Sequence, residues 1–155
     1  MGREIERKFL LRSEAWRDEV EHSMRLVQGY LARGDRSAVR VRIKGDVAEL
    51  NIKHTLDGIN RLEYEYEIPV GDAREILEHV ALRPLIDKTR HHVRHGGHLW
   101  EIDEFYGDNA GLVMAEIELE DADQAFDRPD WLGQEVSDDP RYYNSNLSRL
   151  PYSQW

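Results

Sequence analysis

The chain has 155 residues, no cysteine and a formal charge of −10 at pH 7, with 34% of its residues charged. That length suits one domain over residues 1–155, and the lack of cysteine excludes disulfides, thiolate chemistry and Cys-based zinc sites. The acidic balance argues against nucleic-acid or anionic-membrane partners, and no apolar run reaches membrane length or reads as a signal peptide, so a cytoplasmic protein is expected.

In chain order the sequence is dominated by alternation of charged and apolar residues. EIERK sets Glu4, Glu6 and Lys8 on one strand face and Ile5, Arg7 and Phe9 on the other. Ser13 is placed to cap a helix running through about His22. RVRIK opposes Arg40, Arg42 and Lys44 to Val41 and Ile43, and LNIK opposes Asn51 and Lys53 to Leu50 and Ile52. The turn DGIN at 57–60 leads into RLEYEYEI, with Arg61, Glu63, Glu65 and Glu67 on one face. Asp72 and Glu75 resemble a capping box, opening a helix with an apolar face of Ile76, Leu77, Val80 and Ala81 that stops before Pro84.

DKTRHHVRH then aligns Lys88, Arg90, His92 and Arg94, and Gly96-Gly97 connects it as a hairpin to EIDEF, where Glu101, Asp103 and Phe105 share a face. MAEIELE groups Glu116, Glu118 and Glu120. A short helix near 121–127 is expected, followed by a loop through DRPDWLG anchored by Trp131. The last helix has Pro140 in its first turn and Asp138 or Asp139 as cap.

Any one of these strands could present a solvated charged face, the ordinary arrangement for an antiparallel sheet. Together they point elsewhere. The signs are segregated, basic at Arg40, Arg42, Lys44 and Lys53 and acidic at Glu116, Glu118 and Glu120, whereas solvated faces mix signs. The opposite faces are apolar and need cover, which outside helices can supply. A closed antiparallel barrel with a charged lumen satisfies both conditions, giving a mainly β, α+β fold. Carboxylates converging there would take up protons or hard cations such as Mg²⁺, Mn²⁺ or Ca²⁺. Arginine and lysine on the remaining strands suit the oxygens of a short phosphate chain, and the combination describes a phosphoryl-transfer site.

EIERK also resembles the ExExK motif of the CYTH superfamily, the triphosphate tunnel metalloenzymes. Its partners follow in the family's order: QGYL at 28–31, RVR at 40–42, IK at 52–53, RLEYE at 61–65, KTR at 88–90, EID at 101–103 and EIE at 116–118. The resemblance implies an eight-stranded tunnel that hydrolyses or cyclises triphosphates with divalent metal, a pair of Mg²⁺ or Mn²⁺ ions. It implies Glu4, Glu6, Glu116, Glu118 and Asp103 as metal ligands, and Arg40, Arg42, Lys53, Lys88 and Arg90 as phosphate ligands. Lys8 is implied to contact the phosphate chain or position the attacking water, with Tyr30 assisting. Glu63, Glu65 and Arg61 are implied in support. At the C-terminus Tyr142, Asn144 and Leu147 match the family spacing, but Tyr143 and Ser145 stand where many relatives carry lysine.

Within the family, inorganic tripolyphosphatase is the favoured activity. Thiamine triphosphatases place a tryptophan near the paired arginines, whereas Trp16, Trp100, Trp131 and Trp155 lie away from Arg40 and Arg42 in sequence. Class IV adenylate cyclases carry histidine–phenylalanine ahead of ExExK, where this chain has Met-Gly-Arg. A module that binds polyphosphate or nucleotide without turnover is the alternative of a different class. The expected partner is a small-molecule triphosphate, without nucleic acid or membrane; a homodimer is left open. His91, His92, His95 and His98 flank the Gly-Gly turn on alternating faces and do not read as a metal site, while Tyr64, Tyr66 and Phe126 read as packing residues.

Overall fold

The computed structural model describes residues 2–155. Nine strands form one antiparallel sheet: β1 (Gly2–Leu11), β2 (Val20–Arg33), β3 (Ser37–Lys44), β4 (Val47–Thr55), β5 (Asn60–Ile68), β6 (Ile86–His95), β7 (His98–Phe105), β8 (Val113–Leu119) and β9 (Leu132–Glu135). The order β5-β4-β3-β2-β6-β7-β8-β1 is closed by pairing of β5 with β1, giving an eight-stranded barrel. Strand β9 attaches to β1 beyond the stretch that β5 occupies, with Leu132 opposite Leu11. Helix α1 (Val70–His79) spans β5 to β6, and α2 (Asn144–Leu147) is a single turn near the C-terminus.

The alternation seen in the sequence is the alternation of this barrel. Outward residues pack into two clusters beneath different covers. On the β1, β6, β7 and β8 side, Phe9, Val93, Trp100, Ile102 and Ile117 are buried with Trp16 and Trp131. Trp100 meets Phe9, Phe126 and Trp131 edge-on, each with ring centroids 5.7 Å apart, a favoured aromatic geometry. On the other side Ala73 and Leu77 of α1 cover Val41 and Ala48. Gly29 makes this approach possible, since a Cβ there would lie 2.7–2.9 Å from Ala81, Leu85 and Leu77.

Several sequence expectations fail for definable reasons. The helix from Ser13 to His22 is only a 3₁₀ turn at Ala15–Glu19, and Val20 already begins β2. That strand escapes the alternation test because Leu26, Val27, Tyr30 and Leu31 make both its faces apolar. Helix α1 starts at Val70 after Pro69, so Asp72 lies in its first turn instead of capping it; Val80 follows its end and is exposed. No helix forms over 121–127, where Asp121 accepts a hydrogen bond from the Asp123 amide and Phe126 packs against the barrel.

Glu120 lies past the end of β8 and is exposed, and Tyr66 is exposed instead of packed. The last helix is split into a 3₁₀ turn at Pro140–Tyr142 and the short α2; Asp139 caps the first through the Arg141 amide. The hairpin at Gly96-Gly97 and the turn before Asn60 form as expected, with Asp57 accepting from the Ile59 and Asn60 amides. Among the described residues no helix is long and apolar enough to cross a membrane.

At one end of the barrel the inward row turns apolar. Tyr30, Ile86, Phe105 and Met114 form a cluster on which Tyr142 and Leu147 of the C-terminal segment pack. Phe105 therefore shares its face with Asp103 but serves this apolar plug.

Candidate active site

Closing the sheet brings the charged rows from separate strands into one cavity of about 330 Å³. Strand β1 contributes Glu4, Glu6 and Lys8, and β8 contributes Glu116 and Glu118. Register fixes their neighbours, with Glu6 opposite Glu118 and Lys8 opposite Glu116. Arg40 and Arg42 enter from β3, Lys53 from β4, and Arg61, Glu63 and Glu65 from β5. Strand β6 adds Lys88 and Arg90, and Tyr30 faces the same space from β2, opposite Arg40. Asp103 is the expected site residue that does not line the cavity; it is fully buried behind Lys88 and Arg90.

The charges of the separate rows meet across strands as ion pairs. Arg61 Nη2 lies 2.7 Å from Glu6 and 3.6 Å from Glu4. Lys8 Nζ is 3.5 Å from Glu116, Lys53 Nζ 3.2 Å from Glu63, and Arg42 3.1 Å from Glu49. Arg90 donates through Nε and Nη2 to the two oxygens of Asp103, at 2.8 and 2.9 Å. Lys88 Nζ is held at 2.7 Å by the same carboxylate. Such partners are what permit charges to remain buried.

Burial pushes the Glu4 carboxyl up to about 8, and Glu63 and Glu6 beside it act in the same direction. Burial works the same way on Glu6, but Arg61, Lys8, Lys53 and Arg90 outweigh it and hold that carboxyl down at about 2. Desolvation likewise lowers the Lys53 ammonium to about 7, helped by Arg40 and Arg61, and lowers Lys88 to about 8. The Glu118 carboxyl is raised by burial and by Glu6 and Glu101. Glu4 of β1 and Glu118 of β8 thus resist ionisation chiefly through desolvation.

Among the described residues no three carboxylate or imidazole groups already converge on a metal position. The donor chemistry nonetheless fits a hard divalent cation. Glu4 Oε2 is buried without a hydrogen-bond partner, and the raised pKa values of Glu4 and Glu118 mark carboxyls that the protein's own cations do not hold ionised. Oxygen-only ligands of this kind suit Mg²⁺ or Mn²⁺ better than zinc.

The cavity also takes residues that sequence reasoning left without a role. Ser137, Tyr143 and Asn144 line it from the C-terminal segment, and Asn144 Oδ1 accepts from Lys88 Nζ at 2.9 Å and from Gln28 Nε2 at 3.2 Å. The spacing of Tyr142, Asn144 and Leu147 was the available signal: Tyr142 and Leu147 anchor the segment, and Asn144 between them turns inward. His92 lies on the cavity beside Glu101, at 3.5 Å, as the alternation of β6 and β7 required.

Residues 2–145 match the CYTH domain. The chain belongs to the CYTH domain family. Over 152 residues this CYTH domain is 49% identical to an inorganic triphosphatase of Acetivibrio thermocellus, covering 98% of this chain and 97% of the relative. It is 38% identical over 149 residues to an inorganic triphosphatase of Nitrosomonas europaea, covering 94% and 96%. The crystal structure of the inorganic triphosphatase NE1496 superposes with a TM-score of 0.69 at 34% identity, covering 94% of this chain and 93% of the other.

Proposed function

We propose that this CYTH domain hydrolyses inorganic triphosphate to pyrophosphate and phosphate, with Mg²⁺ or Mn²⁺ as cofactor. The observation that carries the reading is the meeting of carboxylates from β1 and β8 with Arg40, Arg42, Lys53, Lys88 and Arg90 in one closed cavity. The two inorganic triphosphatases that match this chain over nearly its whole length support the same substrate.

In this reading Glu4, Glu6, Glu116 and Glu118 hold the metal, which supplies charge neutralisation at the phosphoryl oxygens and acidifies the attacking water. Arg40, Arg42, Lys53, Lys88 and Arg90 bind the phosphate oxygens and stabilise the charge that develops on the leaving pyrophosphate. Lys8, buried between Glu116 and the carbonyl of Tyr142, is placed to donate to the chain or to orient the water, and Tyr30 assists from the facing wall. Glu63 and Glu65 restrain Lys53 and Arg42, and Arg61 restrains Glu4 and Glu6. Asp103 orients Lys88 and Arg90 from behind, a role that replaces the metal ligation first expected of it.

Among the described residues no tryptophan lines the cavity, and its aromatic residues are Tyr30, His92 and Tyr143, so the lining offers mainly charge instead of a platform for a base or thiamine ring. The test is phosphate release from tripolyphosphate, pyrophosphate, ATP and thiamine triphosphate, each with Mg²⁺ and with Mn²⁺. Tripolyphosphate should be preferred, and chelator should abolish turnover. Conversion of ATP to cyclic AMP and pyrophosphate, or preference for thiamine triphosphate, would reject the reading.

A further inference from the structure

Among the described residues, the buried cations around the cavity are Lys8, Arg40, Arg42 and Lys88. Three of them pair with a carboxylate: Lys8 with Glu116, Arg42 with Glu49 and Lys88 with Asp103. Arg40 makes no ion pair. Its Nε instead donates at 3.0 Å to Oδ1 of Asn51, directly opposite on β4. Asn51 is completely buried and does not line the cavity, so it stands behind Arg40, which does. This hydrogen bond fixes the orientation of the amide and leaves Asn51 Nδ2 buried without a partner.

An aspartate at position 51 would have nearly the same shape and would accept the same hydrogen bond, its second oxygen taking the unpartnered place of Nδ2. It would also neutralise Arg40. The amide therefore holds the Arg40 side chain without a carboxylate's charge. The other buried cations meet the substrate with a carboxylate already against them, whereas Arg40 has none at contact distance.

Resting on the triphosphatase reading, we propose that Asn51 is a positioning residue: it aims Arg40 into the cavity without placing a carboxylate against it, so that Arg40 is the standing anchor for the triphosphate. The test is Asn51→Asp, alone and with Arg40→Gln. The single variant should raise KM for tripolyphosphate about tenfold or more and leave kcat within about twofold, because a charge-assisted contact to bound substrate is weakened. Calorimetric binding of tripolyphosphate in excess chelator should weaken by the same factor. Asn51→Ala, which loses aim without adding charge, should raise KM less.

With Arg40→Gln present, Asn51→Asp should have no further effect on KM. The melting temperature of Asn51→Asp should stay within about 5 °C of wild type, since the new ion pair offsets the cost of burying the carboxylate; a larger drop contradicts the geometry. KM within twofold of wild type, or an equal rise in KM with and without Arg40, overturns the Asn51 role while leaving the triphosphatase reading intact. A wild-type protein that neither binds nor hydrolyses tripolyphosphate overturns that reading, and the Asn51 role with it.

Discussion

Lys8 and Phe9 are neighbours on β1 and both are buried, yet Phe9 packs edge-on against Trp100 while Lys8 faces Glu116 and the backbone of Tyr142. The same contrast repeats around the barrel, with Val41 beneath α1 next to Arg40 and Arg42 on the cavity. The outer side gains from removing apolar surface from water, which is the main term favouring folding. The inner side buries charges whose pairing only offsets their desolvation. Burial therefore does not mean one thing in this molecule. Outside it holds the barrel closed, and inside it prepares a charged space at the expense of stability.

Substitutions on the two faces should separate activity from stability. The largest effect is expected inside: Glu118→Gln should lower tripolyphosphate turnover by about 10²-fold or more, with a melting temperature close to wild type, because desolvation already holds that carboxyl back from ionising. A matched loss of activity and folding, followed by circular dichroism, would show that the inner row is structural. The largest effect on stability is expected outside. Trp100→Ala, which removes a fully buried ring touching three aromatic neighbours, should cost about 3–5 kcal/mol in urea unfolding. Its kcat per folded molecule should stay near wild type.

Gly29→Ala tests the seam between the covers, since the new methyl would press on Ala81, Leu85 and Leu77. It should cost about 1–3 kcal/mol, again with kcat retained. A neutral result would mean that the segment after α1 can shift without cost.

The remaining effect concerns pH. The Glu4 carboxyl is raised to about 8 in the fold, from an unfolded value near 4.5. Between those values the folded protein holds a proton that the unfolded chain has released, so stability falls as pH rises through this window. Glu6 runs the other way, contributing stability above its unfolded value that is lost as pH falls towards 2. In chelator, Glu4→Gln should flatten the decline between about pH 5 and 8; an unchanged slope would place its origin elsewhere.

How much of this could be read from sequence follows from the same two faces. Where the lumen is charged and the exterior apolar, as in RVRIK and EIERK, alternation exposed both the strand and the inward row. Where both sides are apolar, as at Leu26–Leu31, the pattern vanished and β2 went unread. Position 103 had the right parity for the lumen, but depth within the wall depends on how Arg90 and Lys88 fold over it, which alternation does not encode. Asn144 reaches the cavity because Tyr142 and Leu147 dock on an apolar plug, a contact across the barrel that alternation does not report and only the spacing of these three residues signalled. The sign segregation was legible along strands; the ion pairs between strands required the register.

The central claim is that closure of the barrel turns these inner rows into a metal-dependent triphosphate site. Its most direct test is phosphate release from tripolyphosphate by wild-type protein and by Glu4→Gln, each with Mg²⁺ or Mn²⁺ and then with chelator. Turnover by wild type with metal, lost in chelator and in the folded variant, is the predicted result. Turnover that survives either the chelator or the loss of the Glu4 carboxylate would contradict it.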